Sequence, residues 1–332
     1  MKHMRTRITL AIVCMPFLLA AQNCYFTFLT EQGGQPGQPG RQVSLHPSGN
    51  VSYSLPSFGM GYGQLAPDGN LLWDRRVVHN NPITTITPYF PTPRPGGGHL
   101  LHGRFDPYAD YTNPCIVALA PNGAKDWARI YMTDSTCGNS CGLDILKLDE
   151  LPGGDIMMMA TARGELALAR LDPNGVPLWH KRYMFPGSQW AWYNNNTSVV
   201  ESDGTMTVVG TATDQGDMTL LRVAGDGSVV WCYTYDMSGW HTPSGMVKVA
   251  DGSYYVGSSA NGTSLGFLTH FNSDGTLDWQ KRMNVVPARL QLLNNGDLLA
   301  SGGVDAPGLL RISPAGGAFS NSMTSAVCCA VS

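Results

Sequence analysis

A recurring tryptophan constrains the fold of this chain more than any other sequence feature. It stands at positions 73, 127, 179, 231 and 279, so the intervals are 54, 52, 52 and 48 residues. In every copy the tryptophan follows a glycine turn by four residues, and the clearest copy is LDPNGVPLWHKRY at 171–183. A period of roughly 50 residues indicates a repeat architecture.

Each copy belongs to a longer unit of four short strands. In the fourth unit the apolar runs are SVVE (198–201), MTVVGT (206–211), MTLLRV (218–223) and VVWCYTY (229–235). Asp-Gly and Asn-Gly between such runs predict hairpins, in which both central residues of the turn take positive φ. Six units align in this way, and each is predicted to form four antiparallel strands.

A four-stranded unit repeated at this period is typical of a propeller blade. We therefore predict an all-β fold, a six-bladed β-propeller of four-stranded antiparallel blades. An all-β solenoid is the alternative, but closure into a ring needs no capping element. The recurring tryptophans are predicted to have a structural role, packing between neighbouring blades on the fourth strand of each unit: Trp73, Trp127, Trp179, Trp231 and Trp279.

The chain divides into three predicted segments. Residues 1–21 have the basic start, apolar middle and small residues at the end that mark a secretory signal peptide. Residues 22–326 form the propeller and residues 327–332 a C-terminal tail. The last blade has a weak fourth strand at 318–325, and we expect the N-terminal run CYFTFLT (24–30) to join that blade and close the ring, which would remove an exposed edge.

Charge and hydropathy exclude several classes of partner. The formal net charge is −3 and becomes −6 without the three basic residues of the signal. A mildly acidic chain without a basic cluster argues against nucleic-acid binding. After the signal no run of roughly 18 apolar residues occurs, so no membrane span is expected in the mature chain. We expect a monomer that is secreted, periplasmic or held at the cell surface.

Of the eight cysteines, seven remain after removal of the signal peptide, and export would place them in an oxidising compartment. Cys137 and Cys141 are predicted to form a disulfide that closes the loop CGNSC, with two free thiols as the alternative. Cys328 and Cys329 are adjacent in the tail. One thiol of the mature chain is left unexplained by the odd count.

The repeated phrase L-D-x-x-G-x-x-x-W-x-K-x-Y, behind an Ala-Ala-Gln signal end, resembles secreted bacterial β-propeller proteins of the Bacteroidetes group. It is also similar to the quinoprotein-like propeller superfamily, whose repeats carry Gly and Trp at similar offsets. The resemblance covers residues 24–325 approximately. It implies the propeller fold and export, and it is far less specific for an activity.

Aromatic residues outside the repeat mark a candidate ligand-binding face. Loops from the fourth to the next first strand, and from the second to the third, share one end of a propeller, and that end commonly carries function. Exposed aromatics among Asn, Asp and Gln suit sugar rings, although packing of the loops over the blades would also account for them. The candidates are Trp190, Trp192, Tyr193, Trp240, His241, Tyr108 and Tyr111.

These residues favour a non-catalytic interaction protein for glycan or another extracellular polymer or protein. The competing hypothesis is a glycoside hydrolase or lyase that uses a loop carboxylate pair, Asp106 with Asp110 or Asp214 with Asp217. A quinone-dependent dehydrogenase is the weakest hypothesis, because the vicinal cysteine pair that its cofactor site requires lies here in the tail. We expect no cofactor and no metal, since the eight histidines are scattered without HxH or HExxH spacing.

Overall fold

The computed structural model describes residues 9–12, 26–29, 43–46, 48–57, 59–77, 85–106, 113–131, 143–162, 165–183, 196–211, 216–237, 241–260, 266–283, 286–302 and 308–313. The fold is a six-bladed β-propeller, as the repeat predicts, and the described residues contain strands but no helix. Within this described part, no helix has the length and apolarity that crossing a bilayer requires.

The chain forms two compact units, residues 1–142 with 325–332 and residues 143–324. The first unit contains sheet 1 (β3–β6), sheet 2 (β7–β10) and a separate pair of strands, β1 and β2. Its strands are β1 Thr9–Ile12, β2 Phe26–Leu29, β3 Val43–Leu45, β4 Val51–Ser57, β5 Gly59–Leu65, β6 Leu71–Val77, β7 Thr85–Pro93, β8 His99–Asp106, β9 Asn113–Leu119 and β10 Lys125–Ile130.

The second unit contains sheet 3 (β11–β14), sheet 4 (β15–β18), sheet 5 (β19–β22) and sheet 6 (β23–β25). Its strands are β11 Leu143–Glu150, β12 Ile156–Ala162, β13 Glu165–Leu171, β14 Pro177–Tyr183, β15 Ser198–Val200, β16 Met206–Thr211, β17 Met218–Val223, β18 Val229–Tyr235, β19 His241–Lys248, β20 Tyr254–Ala260, β21 Gly266–Phe271, β22 Leu277–Met283, β23 Arg289–Leu292, β24 Leu298–Gly302 and β25 Gly308–Ile312.

All six sheets are antiparallel meanders in chain order, so the last strand of a complete sheet is its outer edge. Sheet 6 has three strands among the described residues, and the predicted fourth strand at 318–325 lies outside them. The expectation that residues 24–30 join this sheet is wrong for the described residues. There β2 pairs with β1, an equally short apolar strand that lies inside the predicted signal segment.

The hairpin turns differ in type from the prediction. In sheet 3, the Gly154 N–H donates to the Leu151 carbonyl at 2.8 Å, and the Leu151 N–H donates to the Asp155 carbonyl at 2.7 Å. This is a three-residue loop, a type I turn followed by a left-handed residue, and that residue is Gly154 with φ of 88°. The same bonding recurs in the turns before both the second and the fourth strand of the sheets. One glycine per turn therefore suffices.

Packing between neighbouring sheets forms the core. Between sheets 3 and 4, Met157 and Met159 pack against Met206, Val208 and Leu221, and all five are buried. Every residue of β16 is buried, because the strand has a neighbouring sheet on both faces. The near-continuous apolar strands of the sequence are explained by this double burial.

Three of the recurring tryptophans, Trp73, Trp179 and Trp231, join their sheet to a turn of the next sheet in the same unit. Trp179 Nε1 donates to the Gly225 carbonyl at 2.9 Å, and the indole ring lies over Gly227. Tyr183 Oη donates to the Gly227 carbonyl at 2.7 Å. In the first unit, Trp73 lies over Gly123 of sheet 2 in the same manner. We call the contact between the tryptophan and the glycine of the following sheet the Trp latch.

A β-bulge precedes each of these tryptophans. In sheet 3, Arg170 is opposite Trp179 while Leu171 is opposite Pro177, so Leu178 is an extra residue on the outer strand. Sheets 1 and 4 have the same shift. A bulge increases the local twist and redirects side chains. Leu178 is accordingly 57% exposed although it is apolar.

Candidate functional site

Most of the predicted binding residues lie outside the described residues. Trp190, Trp192 and Tyr193 fall in the connection 184–195, Trp240 falls in 238–240, and Tyr108 and Tyr111 fall in 107–112. The predicted disulfide partners Cys137 and Cys141 also lie outside them. His241 is described, and so are the strand ends at which the connections around sheet 4 begin and end. These strand ends define the candidate site.

Four backbone and side-chain bonds gather the strand ends at one end of sheet 4. The His241 N–H donates to the Gly216 carbonyl at 3.1 Å, and Thr211 Oγ1 donates to the His241 carbonyl at 2.7 Å. The Val209 N–H donates to the Thr197 carbonyl at 2.9 Å, and the Met246 N–H donates to that of Asn196 at 2.8 Å. The connections 184–195, 212–215 and 238–240 therefore all begin or end at one place, which we call the loop end.

His241 has a different place from the one expected. It is the first residue of β19 rather than part of a loop, and its side chain is only 2% exposed. The imidazole lies edge-on to the Phe267 ring, with centroids 4.8 Å apart, and its Nδ1 is 3.4 Å from Ser258 Oγ. Burial lowers the pKa of His241, against a smaller opposing effect of a backbone hydrogen bond at Met237. The side chain is a neutral anchor beneath the loop end.

The loop end has a polar base made of small side chains. Thr211, Ser258 and Thr197 are all fully buried. Hydroxyl groups buried with hydrogen-bond partners hold backbone segments in fixed positions. These buried groups fix the positions at which the variable connections start. They are not accessible themselves, so a ligand at this end would contact the connections. Asp217, half-buried beside Gly216, and Asp236, exposed after the end of β18, are described carboxylates at this end.

Sheet 5 contains a second arrangement, which sequence reasoning missed because its members come from three different strands or turns. His270 Nε2 is 3.0 Å from Ser253 Oγ, and His270 Nδ1 is 2.9 Å from Asp278 Oδ2. This order of groups resembles a serine hydrolase triad. However, Ser253 Oγ also donates to Asp251 Oδ1 at 2.6 Å, and a hydroxyl has only one proton to donate.

Three features of this arrangement favour a structural role. Ser253 is 5% exposed, so a substrate has no access to its hydroxyl. Its hydrogen bond to the Asp side chain two residues earlier recurs at Ser228 and Thr276, where it stabilises a turn. At the position of His270, sheets 3 and 6 use arginines paired to Asp155 and Asp297. His270 therefore ties a turn to its sheet.

A histidine cluster in the first unit also fails as a metal centre. His46 and His99 are both buried, with ring centroids 6.1 Å apart, and His99 Nε2 lies 2.5 Å from Ser52 Oγ. The Ser48 N–H donates to His46 Nδ1, so the lone pair of that nitrogen is already engaged and is not available to a metal ion. Among the residues described, no group of three or more His, Cys, Asp or Glu could hold a metal ion.

Comparison with known proteins places the chain by its fold alone. No family model and no curated protein sequence matches it. A solved protein from Lactobacillus plantarum has 11% identity and a TM-score of 0.59, with 96% of each chain covered. A virginiamycin B lyase from Staphylococcus aureus has 14% identity and a TM-score of 0.53, over 82% of this chain and 80% of the lyase.

A puromycin hydrolase is another solved protein with a similar structure. It has 16% identity and a TM-score of 0.55, over 86% of this chain and 46% of the hydrolase. At these identities the likeness extends to the propeller fold and no further.

Proposed function

We propose that this chain is an exported β-propeller that binds glycan or another extracellular polymer at its loop end, without catalysing a reaction. The observation that carries the proposal is that three connections end at the same end of sheet 4. Bonds between His241, Gly216 and Thr211 hold the ends of 212–215 and 238–240, and the N–H groups of Val209 and Met246 hold the end of 184–195. Two of these connections contain Trp190, Trp192 and Trp240, the tryptophans outside the repeat.

The chemistry of those connections supports a polymer of sugars. An indole presents a flat apolar face to a sugar ring, while neighbouring amides and carboxylates bond to the hydroxyl groups. The connection 184–195 combines Trp190, Trp192 and Tyr193 with a terminal run of asparagines. The rigid buried base supplied by Thr211, Ser258 and His241 would lower the entropy lost when a ligand orders the connections.

A lyase or hydrolase is the second candidate, and one observation favours it. Asp217 follows Gly216, whose carbonyl accepts from His241, so a carboxylate lies at the base of the same end. With Asp214 it would form the acid and base pair that glycosidic cleavage needs. Two of the similar structures are also enzymes by name.

A glycan array followed by binding titration tests the proposal. The wild-type chain is expected to bind at least one polysaccharide, and Trp240→Ala and the pair Trp190→Ala with Trp192→Ala should each weaken binding by about tenfold or more, the loss expected for one stacking contact. The control is His180→Ala, an exposed aromatic substitution on the outer strand β14, which should leave affinity unchanged.

Two results would overturn the proposal. If no glycan on the array is bound, glycan is not the ligand. If the tryptophan variants bind with unchanged affinity, the loop end is not the binding site. Release of shortened products from a bound polysaccharide, abolished in Asp214→Asn, would instead establish the enzyme.

A further inference from the structure

The outer strand of sheet 4 differs from its counterparts in charge. An edge strand presents unpaired backbone groups to solvent, and proteins commonly protect such strands with charged side chains. Strands β6, β10, β14 and β22 all follow this rule. Their charged residues are Asp74, Arg75, Arg76, Lys125, Asp126, Arg129, Lys181, Arg182, Asp278, Lys281 and Arg282. Strand β18, with the sequence VVWCYTY, has no charged residue.

The difference in charge between β18 and β14 lies at two positions. Lys181 lies over Gly227, and Tyr233 lies over Gly275 in the same way, so the tyrosine occupies the place of the lysine. Thr234 likewise stands where β14 has Arg182. These two differences from sheet 3 leave the β-bulge and the Trp latch of sheet 4 unchanged, since Trp231 also lies over Gly275.

The surface of β18 is apolar as well as uncharged. Val229 and Val230 are each 54% exposed, and Tyr233 is 39% exposed. Cys232 is also exposed and is a free thiol. Exposed apolar side chains on an uncharged edge are the features that permit pairing with another strand.

We propose that β18 pairs with β18 of a second copy of this chain, antiparallel about Cys232. Cys232 is the central residue of the strand, and a two-fold axis there sets Trp231 opposite Tyr233 in the regular stretch that follows the bulge at Val230. Aromatic and β-branched residues are favourable cross-strand pairs, and no like charges meet. The same pairing of β6 would set Asp74 against Asp74, because Asp74 is central there.

This inference replaces the expectation of a monomer, and it does not depend on the proposed function. A two-fold contact requires a self-complementary patch, which β18 provides. Leu178 and Leu277, on the outer strands of the neighbouring sheets, are 57% and 40% exposed and would add apolar area on either side. Pairing would join two four-stranded sheets into one.

Light-scattering mass measured on the full chain across a concentration series tests the pairing. The wild type is expected to approach twice its 35.7 kDa mass as concentration rises. The pair Tyr233→Lys with Thr234→Arg should remain at the single mass, because four cations would then be brought close together around the two-fold axis. Sheets 3 and 5 carry these same residue types at these positions, so the variant should fold, and an unchanged thermal unfolding midpoint would verify this.

Cross-linking gives an independent measurement. Residues directly opposite in an antiparallel pair have Cβ atoms about 4.5–5.5 Å apart, which lies close to disulfide geometry. Diamide should oxidise the two Cys232 thiols to one disulfide, taking up the two protons and two electrons. Cys232→Ser should lose the covalent dimer and keep the concentration-dependent mass.

Three outcomes would contradict the pairing. The first is a wild type that stays at the single mass throughout, which would also follow if a different protein occupied β18. The second is a charged variant that still doubles its mass. The third is a covalent dimer that persists in Cys232→Ser as the sole cross-linked species.

Discussion

At the residue scale, two buried histidines make the stability of the first unit depend on pH. His99 and His102 lie on β8 and are each 1% exposed. Burial lowers the pKa of both to about 4, and the nearby His46 contributes a smaller lowering at His99. Both rings therefore stay neutral in the folded chain at a pH where an unfolded histidine is already protonated.

The stability of the first unit should fall with acid. An unfolded histidine takes up its proton near pH 6.5, so the unfolded state binds more protons between about pH 6.5 and pH 4. Stability is then complete above about pH 6.5, decreases as the pH falls, and levels off below about pH 4. The upper bound is about 3 kcal/mol for each histidine. Urea midpoints measured across this range give the slope directly.

The matched variants for this prediction are His99→Gln and His180→Gln. Glutamine keeps a partner for Ser52 but does not titrate, so His99→Gln should remove about half of the acid loss. His180 is exposed on β14, and its replacement should leave the slope unchanged. An acid slope identical in all three proteins would assign the loss to other groups.

At the scale of elements, the Trp latch is the contact that repeats from sheet to sheet. It needs a glycine for two separate reasons. Gly123 has φ of 76°, and a Cβ on it would lie 2.6 Å from Cε3 of Trp73. Gly69, in the turn of sheet 1, has φ of 86° but open space around it. Gly69 therefore tests only the need for a positive φ, whereas Gly123 tests both the positive φ and the space that the indole ring occupies.

Alanine at these glycines should therefore destabilise the chain by different amounts. Gly69→Ala forces only a left-handed backbone and should cost about 1–2 kcal/mol. Gly123→Ala adds a clash with the indole and should cost about 1–3 kcal/mol more. Free energies of unfolding from urea titration measure both. Equal losses would mean that the indole moves aside freely and that the Trp latch contributes little.

The regular spacing of the recurring tryptophans was enough to predict the sheets, because it can be read along the chain without knowledge of contacts between distant residues. These tryptophans are Trp73, Trp127, Trp179, Trp231 and Trp279. The turn type was not predictable in detail, because Asp-Gly fits both a two-residue loop and the observed three-residue loop. The pairing of β2 with β1 was missed because short apolar strands carry no signal for their partner. The arrangement of Ser253, His270 and Asp278 was also missed, because it depends on the register between strands.

The candidate site was predictable only in its outline. Sequence reasoning placed the loops at one end of the sheets, which follows from meander topology once the short turns are known. It did not foresee that His241 would be interior, because a histidine at the junction of loop and strand has the same local sequence whether it points in or out. The burial of Thr211 and Ser258 beside it is a tertiary property.

At the scale of the whole molecule, we infer separate roles for the parts of a sheet. The hairpin turns and the Trp latch hold neighbouring sheets together within each unit. The uncharged outer strand β18 is assigned to pairing with a second copy, and the loop end at His241, Gly216 and Thr211 to ligand recognition. This division explains why the turns repeat closely in sequence while the connections do not.

Hydrogen exchange measured with and without the strongest glycan from the array tests that division most directly. The account predicts slower exchange on binding in peptides that cover 184–197, 212–216 and 236–241, the connections and strand ends of the loop end. The hairpin turns at Gly154, Gly204 and Gly252 should exchange at an unchanged rate. Protection confined to those turns or to β18, with none at the loop end, would contradict the account.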